Sequence, residues 1–324
     1  MKNQSDLLAR SLAQFATHRA TMRLYYLRCI TIAAGLAALT SVSTQAQQFS
    51  GWSTPINMGP SINTPYVEWH AAISADGLTI FFISDRPGGL GGTDLWVAQR
   101  PNRNGDWVPA QNLGPTINTS ADEFTPELSP DGRWLFFSST GLSSDKHLQI
   151  YAAYRADTGD NFGWNPPINL GDGVNGSHYT GDPSIFIDPQ TGGITMYLAR
   201  EDRSHDDWNI YQSTLGTDGV FGNAVLVPEL NTRSRETHPT VRRDGLEIIF
   251  VSNRPGSLGG VDLWGSTRQT TRDKWSTPVN LGPTVNTEFN DRAPYLSDDG
   301  LSLILVSDRF GDNDLYVSTR KKLP

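Results

Sequence analysis

Cysteine is almost absent from this chain of 324 residues, because Cys29 is the only one. A lone cysteine forms no internal disulfide. Cys29 also precedes an apolar run at residues 30–39, whereas a lipoprotein cysteine would follow such a run. Without the segment that carries Cys29, the chain has no disulfide, no thiolate nucleophile and no lipid anchor. Its stability must then come from its core and its topology.

Charged residues and helix formers are also scarce. Charged residues make up 19% of the chain and apolar residues 37%, against 31 Gly, 20 Pro and 9 Trp. This balance argues against a helical bundle, a coiled coil and a disordered chain. Residues 1–46 hold five basic residues and one acidic residue, so the remainder has 21 basic and 33 acidic residues, a net charge of −12. Such a body repels phosphate backbones and anionic membranes, which argues against nucleic acid as a partner.

The apolar run at residues 30–39 has the features of an export signal. It is too short to span a bilayer, Arg23 and Arg28 precede it, and Thr44-Gln45-Ala46 follows with small residues where a signal peptidase reads. We predict a signal peptide over residues 1–46, with Met22 as an alternative start. The mature protein is then periplasmic or secreted and has no membrane span.

Five internal repeats organise the rest of the sequence. The segment WVPAQNLGPTINT at residues 107–119 recurs, and its copies are spaced 55, 57, 57 and 54 residues apart. The copies begin at Trp52, Trp107, Trp164, Phe221 and Trp275. A second anchor, an Asp-Gly pair, follows at Asp76, Asp131, Asp244 and Asp299, and Asp188-Pro189 takes its place in the third copy. Repeats in such register are typical of propellers and other repeat folds.

Each repeat predicts four strands. In the second copy, residues 123–128 and 134–138 form a hairpin around Asp131-Gly132, and two more strands follow a loop. Four antiparallel strands make a propeller blade. The chain begins at residues 52–58 with a fourth-strand sequence and ends after the third strand of the last copy. We therefore predict an all-β fold, a single five-bladed β-propeller over residues 47–324 whose last blade is closed by the amino-terminal strand.

One pattern recurs within the blades: an acidic residue, a Pro, Ser-x-Asp-Gly, an apolar strand, Ser-Asp-Arg-x-Gly-Gly and Asp-Leu-Trp. The pattern covers nearly all of residues 52–320 and resembles the WD-like propeller repeat of TolB-type periplasmic proteins. The separate amino-terminal domain of TolB has no counterpart, so a role in the Tol system is not predicted. The resemblance implies the propeller fold. Proteins with this repeat include envelope scaffolds, sensor domains and carbohydrate-active enzymes.

A carboxylate recurs at the start of the first strand of most blades. The five equivalent positions are Glu68, Glu123, Thr180, Glu236 and Asp291. These side chains hold a loop by accepting backbone N–H bonds or by pairing with Arg86, Arg254 or Arg309, or they converge on the central channel. Crowded carboxylates in a channel have separated pKa values. In that case Glu123 or Glu236 is the acid and Glu68 or Asp291 the base of a catalytic pair.

A second ring lies two residues further along and departs from the repeat. Its members are His70, Thr125, Asp182, His238 and Ala293. Because requirements shared by all blades do not explain such departures, His70 and His238 are candidate catalytic residues, although either also fits a hydrogen-bonded structural role. The predicted substrate-binding residues are Trp69, Asp182, His178, Tyr179, Arg292, Arg86, Arg254 and Arg309.

Other polar groups have simpler interpretations. The loop at residues 200–207 is a solvated charged loop or a wall of the binding pocket. Asp94, Asp262 and Asp314, with Asp308 and Asp312 nearby, are turn caps or calcium ligands, and their recurrence favours capping. We predict no metal and no cofactor. Motifs for zinc proteolysis, phosphate binding, dinucleotide binding and serine hydrolysis are absent from the sequence.

Two functions remain open at this point. The first is an exported carbohydrate-active enzyme, a glycoside hydrolase that uses paired carboxylates at the top of the channel. Arabinanase-like and fructosidase-like hydrolases share the five-bladed architecture, which is an analogy of fold alone. The second is a non-catalytic envelope module that binds a glycan, a small molecule, a peptide or a protein through the same face. In both cases we expect a monomer.

Overall fold

The inner strands of five antiparallel sheets line a central channel. The structure is a computed structural model and describes residues 20–25, 27, 48–143, 146–202 and 208–324. Each sheet has four strands, and the inner strands of neighbouring sheets contact one another around a complete ring. The prediction of an all-β, five-bladed propeller of four-stranded antiparallel blades is confirmed.

Blades 1 to 4 each consist of four strands that follow one another in sequence. Blade 1 contains β2 (Glu68–Ile73), β3 (Thr79–Ser84), β4 (Asp94–Gln99) and β5 (Gln111–Asn112). Blade 2 contains β6 (Glu123–Leu128), β7 (Trp134–Ser139), β8 (Gln149–Tyr154) and β9 (Ile168–Asn169). A short helix, α1 (Asp172–Asn175), leads to blade 3. Blade 3 contains β10 (Thr180–Ile187), β11 (Ile194–Glu201), β12 (Trp208–Thr214) and β13 (Val225–Leu226). Blade 4 contains β14 (Glu236–Val241), β15 (Glu247–Ser252), β16 (Asp262–Thr267) and β17 (Val279–Asn280).

Blade 5 joins the two ends of the propeller. It contains β18 (Asp291–Leu296), β19 (Ser302–Ser307), β20 (Asp314–Thr319) and the amino-terminal β1 (Ile56–Asn57). Strand β1 pairs antiparallel with β20. A further bridge joins Phe49 to Lys322. The predicted closure of the last blade by residues 52–58 is therefore confirmed. Because β1 pairs along the outer edge of β20, the last blade is a complete four-stranded sheet.

The hydrophobic core is divided among the five interfaces between blades. Each interface holds its own cluster of buried side chains, and the cluster between blades 5 and 1 combines residues from both ends of the ring. The second strands supply much of this surface: all six residues of β3 and of β7 are buried. Closure of the ring thus completes the hydrophobic cluster between blades 5 and 1.

Tight turns at one end of the molecule connect the first two strands of each blade. In blade 2, Ser129 Oγ donates to Asp131 Oδ1 over 2.6 Å, and Gly132 has a φ of 68°. That left-handed conformation favours glycine, which explains the repeated Asp-Gly pair. We call this end of the propeller the bottom and the opposite end, where the inner strands begin, the top.

An arginine fastens the bottom turn to the fourth-strand tryptophan in four blades. Arg268 Nε donates to the Gly245 carbonyl oxygen over 2.6 Å, and its guanidinium lies 4.2 Å from the Trp275 ring centroid. The equivalent pairs are Arg100 with Trp107, Arg155 with Trp164, and Arg320 with Trp52. The repeating tryptophans therefore serve packing, and each also contacts a cation.

The recurring aspartates before the third strands cap turns. Asp262 Oδ2 accepts hydrogen bonds from the Leu258 backbone N–H over 2.6 Å and from Asn280 Nδ2 over 2.7 Å. Asp94 and Asp314 accept from the equivalent asparagines, Asn112 and Asn57. This is the capping role that their recurrence favoured over calcium binding.

Most of the predicted signal peptide lies outside the described residues, and cleavage after residue 46 stays a prediction. Of the described part, Met22 and Tyr25 pack against the cluster between blades 2 and 3. Among the residues described, no helix is long and apolar enough to cross a membrane. Residues 203–207 of the third-blade charged loop also lie outside the described part. Next to them, Asp202 accepts a hydrogen bond from Asn209.

Candidate functional site

A β-bulge interrupts the inner strand of every blade. The strand register shifts between Trp69 and Ala72, and the four other inner strands shift at the equivalent place. Within each bulge one non-glycine residue has a left-handed backbone. These residues are His70 (φ 45°), Thr125 (φ 48°), Asp182 (φ 57°), His238 (φ 50°) and Ala293 (φ 45°). They are the second ring predicted from the repeats.

The bulges aim this second ring into the channel. A bulge re-aims one side chain out of the regular alternation of a strand. In four blades proline follows the bulged residue, at Pro126, Pro183, Pro239 and Pro294. Because proline has no N–H, it fits a place where the ladder is already broken. The sequence of each inner strand therefore fixes the position of one channel-facing side chain.

The channel at this level encloses a cavity of about 30 Å³. The bulged residues line it, together with Glu127, Ser184, Thr240 and Tyr295 from one step further down the strands. Pockets for drug-sized ligands have about 300–1,000 Å³. The cavity therefore has room for a water molecule or an ion but not for a sugar ring.

Three of the bulged residues form a compact group across the channel. The rings of His70 and His238 stack with centroids 4.7 Å apart. His238 Nε2 lies 3.7 Å from Asp182 Oδ1, and the His238 backbone N–H donates to Asp182 Oδ2 over 3.0 Å. Ligand-type atoms of the three side chains all lie within 4.8 Å of one another. Within the described part of the chain, neither ring nitrogen of His70 has a hydrogen-bond partner.

Burial controls the charge of this group. Desolvation lowers the pKa of His70 to about 3, and His238 adds to the shift while Asp182 opposes it. Desolvation also lowers the pKa of His238 to about 3, with help from Arg235 and Arg292. Burial raises the pKa of Asp182. Both imidazoles are therefore neutral at pH 7 and each has a lone pair for a ligand or a proton.

The next level of the channel forms a hydrogen-bonded belt between blades that the sequence analysis did not identify. The bonds from one blade to the next are Ile185 N to Glu127 Oε1 (3.0 Å), Val241 N to Ser184 Oγ (3.1 Å), Leu296 N to Thr240 Oγ1 (2.9 Å), and Tyr295 Oη to the Ile73 carbonyl oxygen (2.7 Å). The belt ties inner strands together, so its polar residues hold the ring.

The four ring carboxylates lie inside their own blades. Glu236 accepts from the Thr232 backbone N–H (3.0 Å), Thr232 Oγ1 (2.8 Å) and Ser252 Oγ (2.9 Å), and pairs with Arg254 over 3.0 Å. Glu68 has the same four contacts with Thr64, Ser84 and Arg86, and Asp291 pairs with Arg309 over 2.6 Å. Each of these carboxylates is fully buried.

Blade 2 and blade 3 vary this arrangement. Glu123 keeps the bonds from Thr119 and Ser139, but Gly141 stands where blades 1, 4 and 5 have arginine. Burial raises the pKa of Glu123. In blade 3, Thr180 replaces the carboxylate and donates to the Asn175 carbonyl oxygen over 2.5 Å.

The structure does not bring these carboxylates together at the channel. None of Glu68, Glu123, Glu236 and Asp291 lines the cavity. Their three arginines also donate to loop carbonyls, as Arg254 does to the Leu230 oxygen over 2.6 Å. The physical reason is the bulge, which points the second ring inward and leaves the first ring within the blade. The geometry agrees with the loop-holding alternative, and a catalytic role for these residues stays a prediction.

The mouth of the channel, which we define as Trp69 and Arg292, lies above the cavity. The Arg292 guanidinium lies 5.6 Å from the Trp69 ring centroid, and the Trp69 ring is edge-on to His70 at the same distance. Trp69 Nε1 and Arg292 Nε have no hydrogen-bond partner among the residues that the structure describes. Of the other predicted binding residues, Tyr179 contacts His147 with ring centroids 5.2 Å apart, and His178 is exposed.

Comparisons with known proteins give a fold likeness. No protein-family model matches the chain, and no curated protein matches it. The catalytic domain of the GH62 alpha-L-arabinofuranosidase from Coprinopsis cinerea has a TM-score of 0.57 and 12% identity, over 84% of this chain and 98% of that one. A thermostable family-43 glycoside hydrolase has a TM-score of 0.52 and 14% identity, over 85% of this chain and 90% of that one. A putative TolB from Agrobacterium tumefaciens has a TM-score of 0.48 and 16% identity, over 86% and 100%.

These likenesses are limited to the fold. At such identities the two hydrolases share the five-bladed propeller architecture with this chain, and nothing about its chemistry follows. Membership of the TolB-type repeat family stays a prediction, since no family model matches.

Proposed function

We propose that the protein is a carbohydrate-binding propeller whose ligand docks on the mouth of the channel. The observation that carries this proposal is a pair of polar atoms there without hydrogen-bond partners among the described residues, Trp69 Nε1 and Arg292 Nε. Buried polar groups are normally hydrogen-bonded, so two such atoms close together favour a ligand that supplies the missing partners. Sugar hydroxyls both accept and donate hydrogen bonds.

The shape of the mouth supports a ligand that lies on top of the channel. Trp69 is partly exposed and the Arg292 side chain is 28% exposed, so a ligand on top of the channel can contact both side chains. The flat indole offers an apolar face for a sugar ring, and the guanidinium offers several donors. The cavity below, at about 30 Å³, is too small for the ring to enter.

Binding is favoured over glycoside hydrolysis. Hydrolysis by paired carboxylates needs one protonated acid and one ionised base or nucleophile on either side of the scissile bond. Glu68, Glu236 and Asp291 are each held by an arginine within their own blade. Asp182 is the one predicted site carboxylate that lines the cavity. Glu127, the other carboxyl group that lines the cavity, accepts a hydrogen bond from the Ile185 N–H within the belt. Because a cavity of about 30 Å³ admits no sugar between these two groups, recognition at the mouth is favoured over acid-base cleavage.

A glycan array followed by calorimetric titration tests the proposal. We expect the protein to bind at least one neutral glycan, and Trp69→Ala and Arg292→Ala to weaken that binding by about tenfold or more, as for aromatic and arginine residues central to an interface. Arg243→Ala is the matched control, because Arg243 lies at the bottom, pairs with Asp298 and should leave affinity unchanged.

Two results would overturn the proposal. Unchanged glycan affinity in both mouth variants would show that the glycan binds elsewhere. A protein that binds peptides but none of the glycans would favour a protein partner. Product analysis of the bound glycans by mass spectrometry separates binding from cleavage. Released sugars whose formation stops in Glu123→Gln or Glu236→Gln would restore the hydrolase interpretation.

A further inference from the structure

We propose that His70, Asp182 and His238 together bind one divalent transition-metal ion, with Zn²⁺ as the type ion, inside the central channel. The inference does not depend on carbohydrate binding, because it rests on the channel residues below the mouth. Two imidazole nitrogens and one carboxylate oxygen within 4.8 Å of one another form the donor set. Imidazole favours zinc, copper, nickel and iron over calcium or magnesium, which prefer oxygen.

Unsatisfied nitrogen atoms point to a missing partner at this position. His70 is buried, and neither its Nδ1 nor its Nε2 has a hydrogen-bond partner in residues 48–143, 146–202 and 208–324 or in the described residues before them. An imidazole always has one nitrogen with a lone pair and one with a proton when it is neutral. A metal ion in the cavity would use the lone pair of His70, which nothing else in the described structure occupies.

The other two ligands are already oriented by a second set of contacts. Thr237 Oγ1 lies 2.9 Å from His238 Nδ1, which leaves Nε2 of that ring directed at Asp182. The His238 backbone N–H holds Asp182 Oδ2 and leaves Oδ1 for the ion. Such outer contacts, which fix the tautomer of a histidine and the orientation of a carboxylate, accompany metal ligands generally.

The distances are compatible with a tetrahedral ion after a modest adjustment. With metal–ligand bonds of about 2.0–2.2 Å, neighbouring ligand atoms of a tetrahedral site are about 3.3 Å apart. His238 Nε2 and Asp182 Oδ1 are 3.7 Å apart, and the two stacked imidazoles must rotate to bring His70 to the same distance. The cavity of about 30 Å³ accommodates one ion. The fourth coordination position is then left for water or a ligand atom.

The surrounding charges limit the affinity. Arg235 and Arg292 act on His238 and oppose a cation, whereas Asp182 and its neutral histidine partners favour one. The remaining bulged residues, Thr125 and Ala293, carry no charge.

Calorimetric titration with ZnCl₂ alone tests the site. The protein is expressed from the full 324-residue sequence and purified in metal-free buffer. We expect one equivalent of Zn²⁺ to bind and to raise the melting temperature, because an ion that binds only the folded state stabilises it. Co²⁺ should give the intense visible absorption of a four-coordinate site. Ca²⁺ and Mg²⁺ at the same concentration should not displace either ion.

Variants separate this site from surface binding. His70→Ala, His238→Ala and Asp182→Asn should each weaken Zn²⁺ binding by about 100-fold or more, since outer contacts alone are worth about 10–100-fold. His147→Asn is the matched control and should bind like the parent. Melting curves in EDTA establish that each variant folds. Unchanged Zn²⁺ affinity in the folded channel variants, equal displacement by Ca²⁺, or the loss of binding in His147→Asn would overturn the proposal.

Discussion

His70 and His238 stack face to face across the channel, with ring planes 25° apart, although they belong to blades 1 and 4, which are not neighbours in the ring. The contact shows how narrow the channel is at this level. It also means that the two side chains do not respond independently to substitution. The two imidazoles therefore form a direct side-chain contact between blades 1 and 4.

A double-mutant cycle measures that coupling. We expect His70→Ala and His238→Ala to have non-additive effects on the free energy of unfolding in EDTA, with a coupling of about 0.5–1.5 kcal/mol, the range for aromatic pairs. The cycle of His70→Ala with His147→Asn is the control and should be additive. Additivity in both cycles would mean that the stack contributes nothing.

The ion pairs of the first ring predict a stability effect. Glu236→Gln leaves the buried Arg254 guanidinium without its counter-charge and should lower the free energy of unfolding by about 3 kcal/mol. Glu123→Gln is the matched control, because no arginine of the described residues pairs with Glu123, and it should lower the free energy of unfolding by only about 1 kcal/mol. Urea titrations of both variants give the comparison. A Glu236→Gln protein as stable as its parent would remove the loop-holding role.

Glu127 predicts a pH dependence. Burial raises the pKa of Glu127 to about 8, with Asp298 adding to the shift and hydrogen bonds from Ile185 and Ser184 opposing it. Because the folded state favours the protonated carboxyl, its contribution to stability is full below the ordinary pKa of about 4.5 and is lost as the pH rises to about 8.

Glu127→Gln mimics the protonated form and should not share this loss. We expect the variant and the parent to melt at similar temperatures at pH 4, and the variant to melt higher at pH 8.5. The free energy of unfolding of the two proteins should differ at pH 8.5 by a few kcal/mol at most, since one pKa unit corresponds to about 1.4 kcal/mol. A constant difference between the two melting temperatures across this range would contradict the pKa assignment.

Closure of the ring predicts a topological effect. Deletion of residues 47–60 removes β1 and should broaden the melting transition, lower its midpoint and promote aggregation, because β20 becomes a free edge. The control attaches the same segment after Pro324, which restores the strand within the blade. Recovery of a sharp transition in this permuted chain would attribute the defect to the lost strand pairing. A deletion variant that melts like its parent would contradict it.

The repeats made the fold predictable because the same spacing had to satisfy five blades at once. The position of the first strand sequence also predicted the closure, which the pairing of Ile56 with Val317 confirms. Export and the domain boundary at residue 46 depend on a segment that the described structure barely covers, so they stay predictions.

The site was less predictable because its geometry depends on the bulge. Non-glycine residues with a left-handed backbone give no composition signal, and without the bulge a regular alternation leaves the direction of Glu68 and His70 open. One available signal was the threonine four residues before each carboxylate, as in Thr232 and Glu236, which is the spacing of a local cap. The belt of Glu127, Ser184, Thr240 and Tyr295 used a different residue type in each blade, so the repeat comparison did not reveal it.

The five bulges separate what the scaffold needs from what the channel presents. Backbone shape at these positions is the same whether the residue is histidine, threonine, aspartate or alanine, since all five have φ values between 45° and 57°. The side chain at each bulge is therefore independent of the backbone conformation that presents it. In evolution or in protein design, a new combination of five channel-facing residues would leave the blades, the belt and the closure in place.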